Sequence, residues 1–247
     1  MPTSSAERAA VYERHRRELI AYATRLVVRP AVAEELVQEA ALRLLGEDRV
    51  PVDENQLRAW LFRVVSNLAI DHLRRHSTWR EQMPVDLRAR AEADPAFMAA
   101  SGAMRGAPEM AAIAREHLAV CFGCTLRNLP PREAAALLLK EVHGFTTREA
   151  ADALDASPVQ VKNWLQSARR TLDERYGATC ALVAKQGVCH QCVELDVYFN
   201  GARRDPLAGT ARDLRARIAI VREQADATPG PWHRRLLALV DEVLPAE

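Results

Sequence analysis

No stretch of this chain is apolar for long enough to cross a bilayer, and its first residues, MPTSSAERAAVYERHRREL, are charged where a signal peptide needs an apolar core. Both absences point to a cytoplasmic protein. Net charge is nearly missing as well: at +1 the chain has no global cationic field, so any affinity for nucleic acid must come from local basic surfaces. Aromatic residues make up only 5% of the composition, and alternating runs of β-branched residues are absent, which removes the usual signature of a sheet. There is no glycine-rich phosphate loop, no carboxylate pair set for acid–base work and no nucleophile spaced from a base. An enzyme, such as a zinc hydrolase or a thiol oxidoreductase built on the cysteines, therefore has no support. Five cysteines in a reducing compartment argue against a disulfide scaffold and leave metal, redox or plain core use.

What remains is a chain of 247 residues, 49% hydrophobic and rich in Ala, Leu, Arg and Glu, long enough for one or two compact domains of all-α fold. Residues 129–176 organise it. Thr146 and Glu149 have capping-box spacing ahead of a short helix with Ala150, Ala151 and Leu154 on one face. Asp155 to Ser157 make a tight turn; Ser157 can cap the next helix and Pro158 suits its first position. In that helix Val161, Leu165, Ala168 and Leu172 point inward, which leaves Gln160, Asn163, Gln166, Ser167 and Arg170 outward with Lys162 and Arg169 on one flank. Amides and hydroxyls suit base edges and cations suit phosphates, so the pattern reads as a DNA-binding helix-turn-helix, with an ordinary amphipathic hairpin as the bland alternative.

Upstream, residues 6–28 form an amphipathic helix with Val11, Leu19, Tyr22, Ala23 and Leu26 inward, stopped at Pro30. Residues 31–45 follow, with Val32, Leu36, Ala40, Leu44 and Leu45 at helical spacing, Gly46 as a cap, and Glu34, Glu35, Gln38 and Glu39 outside. That acidic face is either solvated or a dock for a protein partner. Asn55 can cap a third helix in which Leu57, Leu61, Val64, Val65 and Leu68 point inward. Arg63, Asn67 and Arg74 share its outer stripe, and Arg75, His76 and Arg80 extend the basic end, an arrangement suited to a nucleic-acid backbone with one amide left for a base.

Residues 6–76 resemble region two of the extracytoplasmic-function sigma factors, the compact branch of the sigma-70 family. AEELVQEAALRLL is similar to the helix that binds the polymerase clamp, and RAWLFRVVSNLAIDHLRR to the promoter-melting helix. Residues 129–176 resemble region four, in the same order and at the expected separation. The resemblance implies a promoter-specificity factor for transcription initiation. Glu34, Glu35, Gln38 and Glu39 would face core RNA polymerase, and Asn67 would hold an unstacked −10 base. The −35 element would be read from Ser157, Gln160, Lys162, Asn163, Ser167, Arg169 and Arg170. Where the family commonly reads VKSRLHRAR this chain has VKNWLQSAR, so Trp164 and Ser167 stand in place of frequent arginines. The implied partners are core polymerase and promoter DNA, with an anti-sigma factor as a further candidate.

Domains are accordingly expected at 1–78 (region two) and 113–178 (region four), joined by a flexible linker at 79–112 and followed by a helical, cysteine-containing extension at 179–247. In the linker, Pro84, Pro95 and Pro108 break any long helical period, with short helical pieces allowed over 90–104. The cysteines form two C-x-x-C pairs, Cys121 with Cys124 and Cys189 with Cys192, with 64 residues between Cys124 and Cys189. Two such pairs can close a tetrahedral zinc site, with His117 and Cys180 in reserve; buried or redox-active thiols are the alternative. Residues 205–224 and 232–244 read as two helices too small to stand alone, which should dock on region four or the linker. Arg212, Arg215, Arg217 and Arg222 would form a solvated face. The rival reading is a stand-alone helix-turn-helix regulator with a metal- or thiol-sensing tail, which has no need of the acidic helix at 31–45.

Overall fold

The structure, a computed structural model, describes residues 5–47, 50–76, 83–104, 109–179 and 213–244. Among these residues every regular element is a helix, in keeping with the all-α expectation. Two compact units result. The first takes Met1–Ser77, Leu129–Ala168 and Ala225–Thr228, the second Thr78–Asn128, Arg169–Gln224 and Pro229–Glu247.

The first unit opens with α1 (Ser5–Val27), α2 (Pro30–Gly46) and α3 (Glu54–Arg75). All five residues expected inward on α1 are buried. On α2 the inward stripe runs through Val32, Ala33, Val37, Ala40 and Leu44, so at 100° per residue Leu45 turns away and is 47% exposed, against expectation. Its C-terminal carbonyls are met by Arg8, a buried cation whose Nη1 donates to the Glu47 carbonyl at 2.7 Å and the Leu44 carbonyl at 3.4 Å. A cation there also suits the negative end of the helix dipole. The N-cap of α3 is Asp53, not Asn55: its carboxylate accepts from the Gln56 N–H at 3.0 Å. Val64 and Leu68 are half-buried, while Phe62, Ala69, Ile70 and Leu73 fill the core instead.

The same unit contains α7 (Pro131–Leu137), which widens into a π-helical turn at Leu138–Val142, then α8 (Thr147–Ala153) and the start of α9 (Pro158–Thr179). The π turn bonds the His143 N–H to the Leu138 carbonyl at 3.0 Å, one residue further back than an α-helix would. Gly144 follows at φ +74, where a side chain would be strained, and reverses the chain. His143 and Phe145 thereby enter an aromatic cluster. The His143 ring meets Tyr22 edge-on at 5.3 Å and Phe62 at 5.1 Å, and Phe145 lies 5.0 Å from Phe62. His143 Nδ1 is 3.0 Å from the Glu18 carboxylate, which Arg58 holds from two guanidinium nitrogens while also donating to the His143 carbonyl at 3.0 Å. Burial alone would raise the Glu18 pKa; the hydrogen bonds and charges of His143 and Arg58 outweigh it and hold the carboxyl at about 2.

The second unit contains α4 (Met83–Glu92), α5 (Pro95–Met104), α6 (Met110–Leu126), α10 (Leu214–Glu223) and α11 (Pro231–Val243). The interval expected to be a flexible linker thus carries two helices. Its prolines punctuate rather than abolish them: Pro95 starts α5 behind Asp94, whose carboxylate accepts from the Phe97 N–H at 2.7 Å. The C-terminal helix covers both. Phe97 stacks on Trp232 at 5.3 Å, the Trp232 indole N–H donates to Ser101 Oγ at 2.9 Å, Arg235 pairs with Asp94, and Arg90 with Glu242. Of the two docking places expected for the tail, α11 uses both: it packs on the linker helices and meets α6 through His233, which lies against His117 and Glu116. The helix expected at 205–224 is seen from Leu214, capped by Asp213, and packs on α6; residues 205–212 lie outside the described residues. Arg217 is not on a solvated face but wholly buried, its guanidinium 6.0 Å from the Phe122 ring.

Candidate nucleic-acid interface

Two reciprocal boxes build the helix-turn-helix. Thr146 Oγ1 accepts from the Glu149 N–H at 3.2 Å and Glu149 accepts from the Thr146 N–H at 2.7 Å, the box expected from the sequence. Those bonds from the Thr146 side chain and backbone hold the Glu149 carboxyl below its ordinary pKa. After α8, Asp155 adopts φ 50 and the Ala156 N–H reaches the Ala151 carbonyl at 2.9 Å, the six-to-one bond of a Schellman turn with Asp in the place glycine usually takes. Ser157 then caps α9 by accepting from the Gln160 N–H at 3.2 Å, and Gln160 Oε1 accepts from the Ser157 N–H at 2.8 Å. The Gln160 carbonyl oxygen, assigned to a base edge by sequence reasoning, is therefore engaged in starting the helix. Its amide NH₂ remains.

Val161, Leu165, Ala168 and Leu172 are buried as expected, while Lys162, Asn163, Gln166, Arg169 and Arg170 are exposed and Ser167 is half-buried. No acidic residue lies between 157 and 170, so this face offers phosphates cations and bases amides without self-repulsion of the ligand. Trp164, half-buried, lies 5.7 Å below the Arg132 guanidinium, and Arg132 Nη1 donates to the Leu154 carbonyl at 2.7 Å. One arginine thus clamps the end of α8 to α9. Sequence reasoning missed it because nothing local marks its partners.

On α3, Arg63, Asn67, Arg74 and Arg75 are all exposed. Arg63 comes within 3.9 Å of Asp155 in the helix-turn-helix turn, Arg74 lies 3.7 Å from the Asp71 carboxylate, and Arg75 Nε donates to the Asp71 carbonyl at 3.3 Å. Arg80 lies outside the described residues. On α2, Glu34, Glu35 and Gln38 are exposed, and Glu39 pairs with Arg43 at 2.8 Å. Leu42, 65% exposed, and Leu45 continue the surface, so its character is acid plus leucine rather than acid alone.

The sulfur-bearing pair is divided from its reserve ligand. Cys121 and Cys124 are half-buried on α6, but His117 is buried with Nδ1 3.3 Å from His233 Nε2, and His233 Nδ1 is 2.8 Å from the Glu116 carboxylate. Burial, with His233 and Arg217 nearby, pushes the His117 pKa well below its ordinary value. Among the described residues no three His, Cys, Asp or Glu side chains are grouped to hold a metal. Cys180, Cys189 and Cys192 lie outside the described residues.

Comparison with known proteins matches the same two regions. The profile of Sigma-70 region 2 covers residues 11–78, and that of Sigma-70, region 4 covers residues 119–172. The chain is 27% identical to the ECF RNA polymerase sigma factor SigG of Mycobacterium tuberculosis, over 95% of this chain and 70% of that protein. It is 32% identical to the probable ECF RNA polymerase sigma factor SigI of the same organism, over 70% of this chain and 55% of that protein. To the ECF RNA polymerase sigma factor SigJ it is 30% identical, over 65% of this chain and 48% of the relative.

Proposed function

Since this chain belongs to the extracytoplasmic-function branch of the sigma-70 family and is an RNA polymerase sigma factor, we propose a division of labour among three of its helices. The α2 face docks on core polymerase, the α3 stripe holds the melted −10 element with Asn67 against an unstacked base, and α9 reads the −35 element. The factor performs no chemistry itself and acts in the cytoplasm. Its partners in this proposal are core polymerase, promoter DNA and an anti-sigma factor. One observation carries the reading: exposed surfaces of three different chemistries, acid with leucine, arginine with asparagine, and amide with cation, fall on separate helices of the two matched regions. A stand-alone helix-turn-helix regulator accounts for the last surface only.

Transcription from fragmented genomic DNA by purified core polymerase tests it: transcripts with defined start sites are expected only when the chain is added. On such a template Asn67→Ala should lower open-complex formation by about 5- to 150-fold, the equivalent of about 1–3 kcal/mol for a lost base contact, and leave duplex binding nearly intact. Permanganate reactivity separates the two steps, and equal losses in both would give Asn67 a backbone role.

Zinc is part of the same proposal. With the His117 ring engaged by His233, the ligands are Cys121, Cys124, Cys189 and Cys192, four thiolates suited to a soft tetrahedral ion. Reduced protein should carry about one zinc per chain and lose it on Cys121→Ser. Metal-free protein that melts identically in chelator would leave these as ordinary thiols.

A further inference from the structure

The residues assigned above to the −35 element are all polar, yet the surface they surround is not. Val159, the second residue of α9, is 65% exposed, while Val161, two positions on, is wholly buried. At 100° per residue Val159, Asn163 and Gln166 fall on one stripe of α9, on the side away from Val161, Leu165 and Ala168. Of the three, only Val159 has no polar group. Helix stability gives no reason for it, since a β-branched residue loses χ1 freedom in a helix and an exposed one covers nothing. The same stiffness is an advantage in a contact, because few rotamers are left to freeze. The position is also held from both sides. Pro158 fixes the backbone before it, and after it Gln160 is tied to Ser157 by hydrogen bonds of 3.2 and 2.8 Å.

We propose that Val159 is a specificity-determining residue for the −35 element and that it selects a thymine by packing on the C5-methyl group in the major groove. This rests on the reading of α9 given above. A helix entering the major groove presents its N-terminal residues to base edges. The two methyl groups of a valine can match only an apolar feature there. Guanine, adenine and cytosine offer N7, O6, N6 or N4 at that edge, and covering any of these with a valine removes its water without supplying a hydrogen bond. Thymine alone offers a methyl group. Asn163 lies one turn further on, about 6 Å along the axis, and its amide can bond adenine N6 and N7. At about 3.4 Å per base pair, the thymine and that adenine fall within about two pairs of each other.

The test uses holoenzyme formed from the full chain and core polymerase. Templates randomised upstream of the start site are selected by transcription, and in the enriched −35 element each thymine is replaced in turn by deoxyuridine, which lacks only the methyl group. For wild type, one replacement should weaken template binding about fourfold, the worth of one methyl group returned to water, and the others should have little effect. For Val159→Ser that same replacement should leave affinity unchanged. Should the serine variant fail to fold, Val159→Thr, of the same shape with one methyl group fewer, takes its place and should show about a twofold loss. Wild type indifferent to every replacement overturns the proposal, and so does a serine variant that keeps the full loss, since another residue then meets the methyl group. A variant that loses core binding instead would put Val159 in a protein contact, which also overturns it. Enriched templates with no upstream preference would defeat the reading of α9 itself.

Discussion

Glu34→Lys combined with Glu35→Lys is expected to weaken binding to core polymerase by at least about a hundredfold while the fold persists. Both carboxylates are exposed on α2, and both lie beyond its first turn, where a reversed charge no longer meets the helix dipole strongly. Surface changes of this kind shift stability by about 0.5 kcal/mol or less. At an interface the same reversals place cations where anions were recognised. Like-charge juxtaposition there costs several kcal/mol, and about 1.4 kcal/mol per site already gives tenfold each. Glu39 is left alone because its pair with Arg43 at 2.8 Å would confuse local stability with docking. The measurement is co-elution with core on a sizing column beside circular dichroism. Undiminished co-elution would remove α2 from the interface.

The largest effect on stability is expected from Phe62→Ala. The ring is fully buried and touches Tyr22, His143 and Phe145, with the Arg58 guanidinium over one face. Truncation leaves a cavity that three rings on two other segments cannot collapse to fill, so the loss should be about 3–5 kcal/mol. Urea unfolding reports it, with Asn67→Ala as a comparison that removes only exposed atoms. A loss below about 1 kcal/mol would mean that the cluster relaxes freely and does not organise the unit.

What was legible in the sequence was what the chain decides over four or five residues. The Thr146–Glu149 box, the Pro158 start and the buried stripe from Val161 to Leu172 all depend on near neighbours, and all were found where periodicity placed them. Small local ambiguities were resolved the wrong way: Asp53 and Asn55 are both good caps, and only the turn geometry chooses between them. Leu44 and Leu45 look equivalent until the helix phase is fixed by packing. The larger omissions are charged residues with distant partners. Arg8, Arg58, Arg132 and Arg217 read as surface in a sequence, because their carbonyl, carboxylate or ring partners lie elsewhere in the chain. For the same reason α4 and α5 were taken for a linker: their short apolar faces are completed by Trp232 and Arg235, which no local window contains.

That long-range completion has a consequence during synthesis. Ser101 and its partner Trp232 are 131 residues apart, and Asp94 and Arg235 are 141 apart. At about 5–20 residues per second a ribosome takes roughly 7–28 s to make the chain between them. Helices α1, α2 and α3 emerge together and find one another at once, but Phe97 leaves the exit tunnel with the indole that will cover it still unmade. For those seconds the nascent second unit depends on whatever holds α4 and α5 in solution, and a message truncated before codon 231 never closes it.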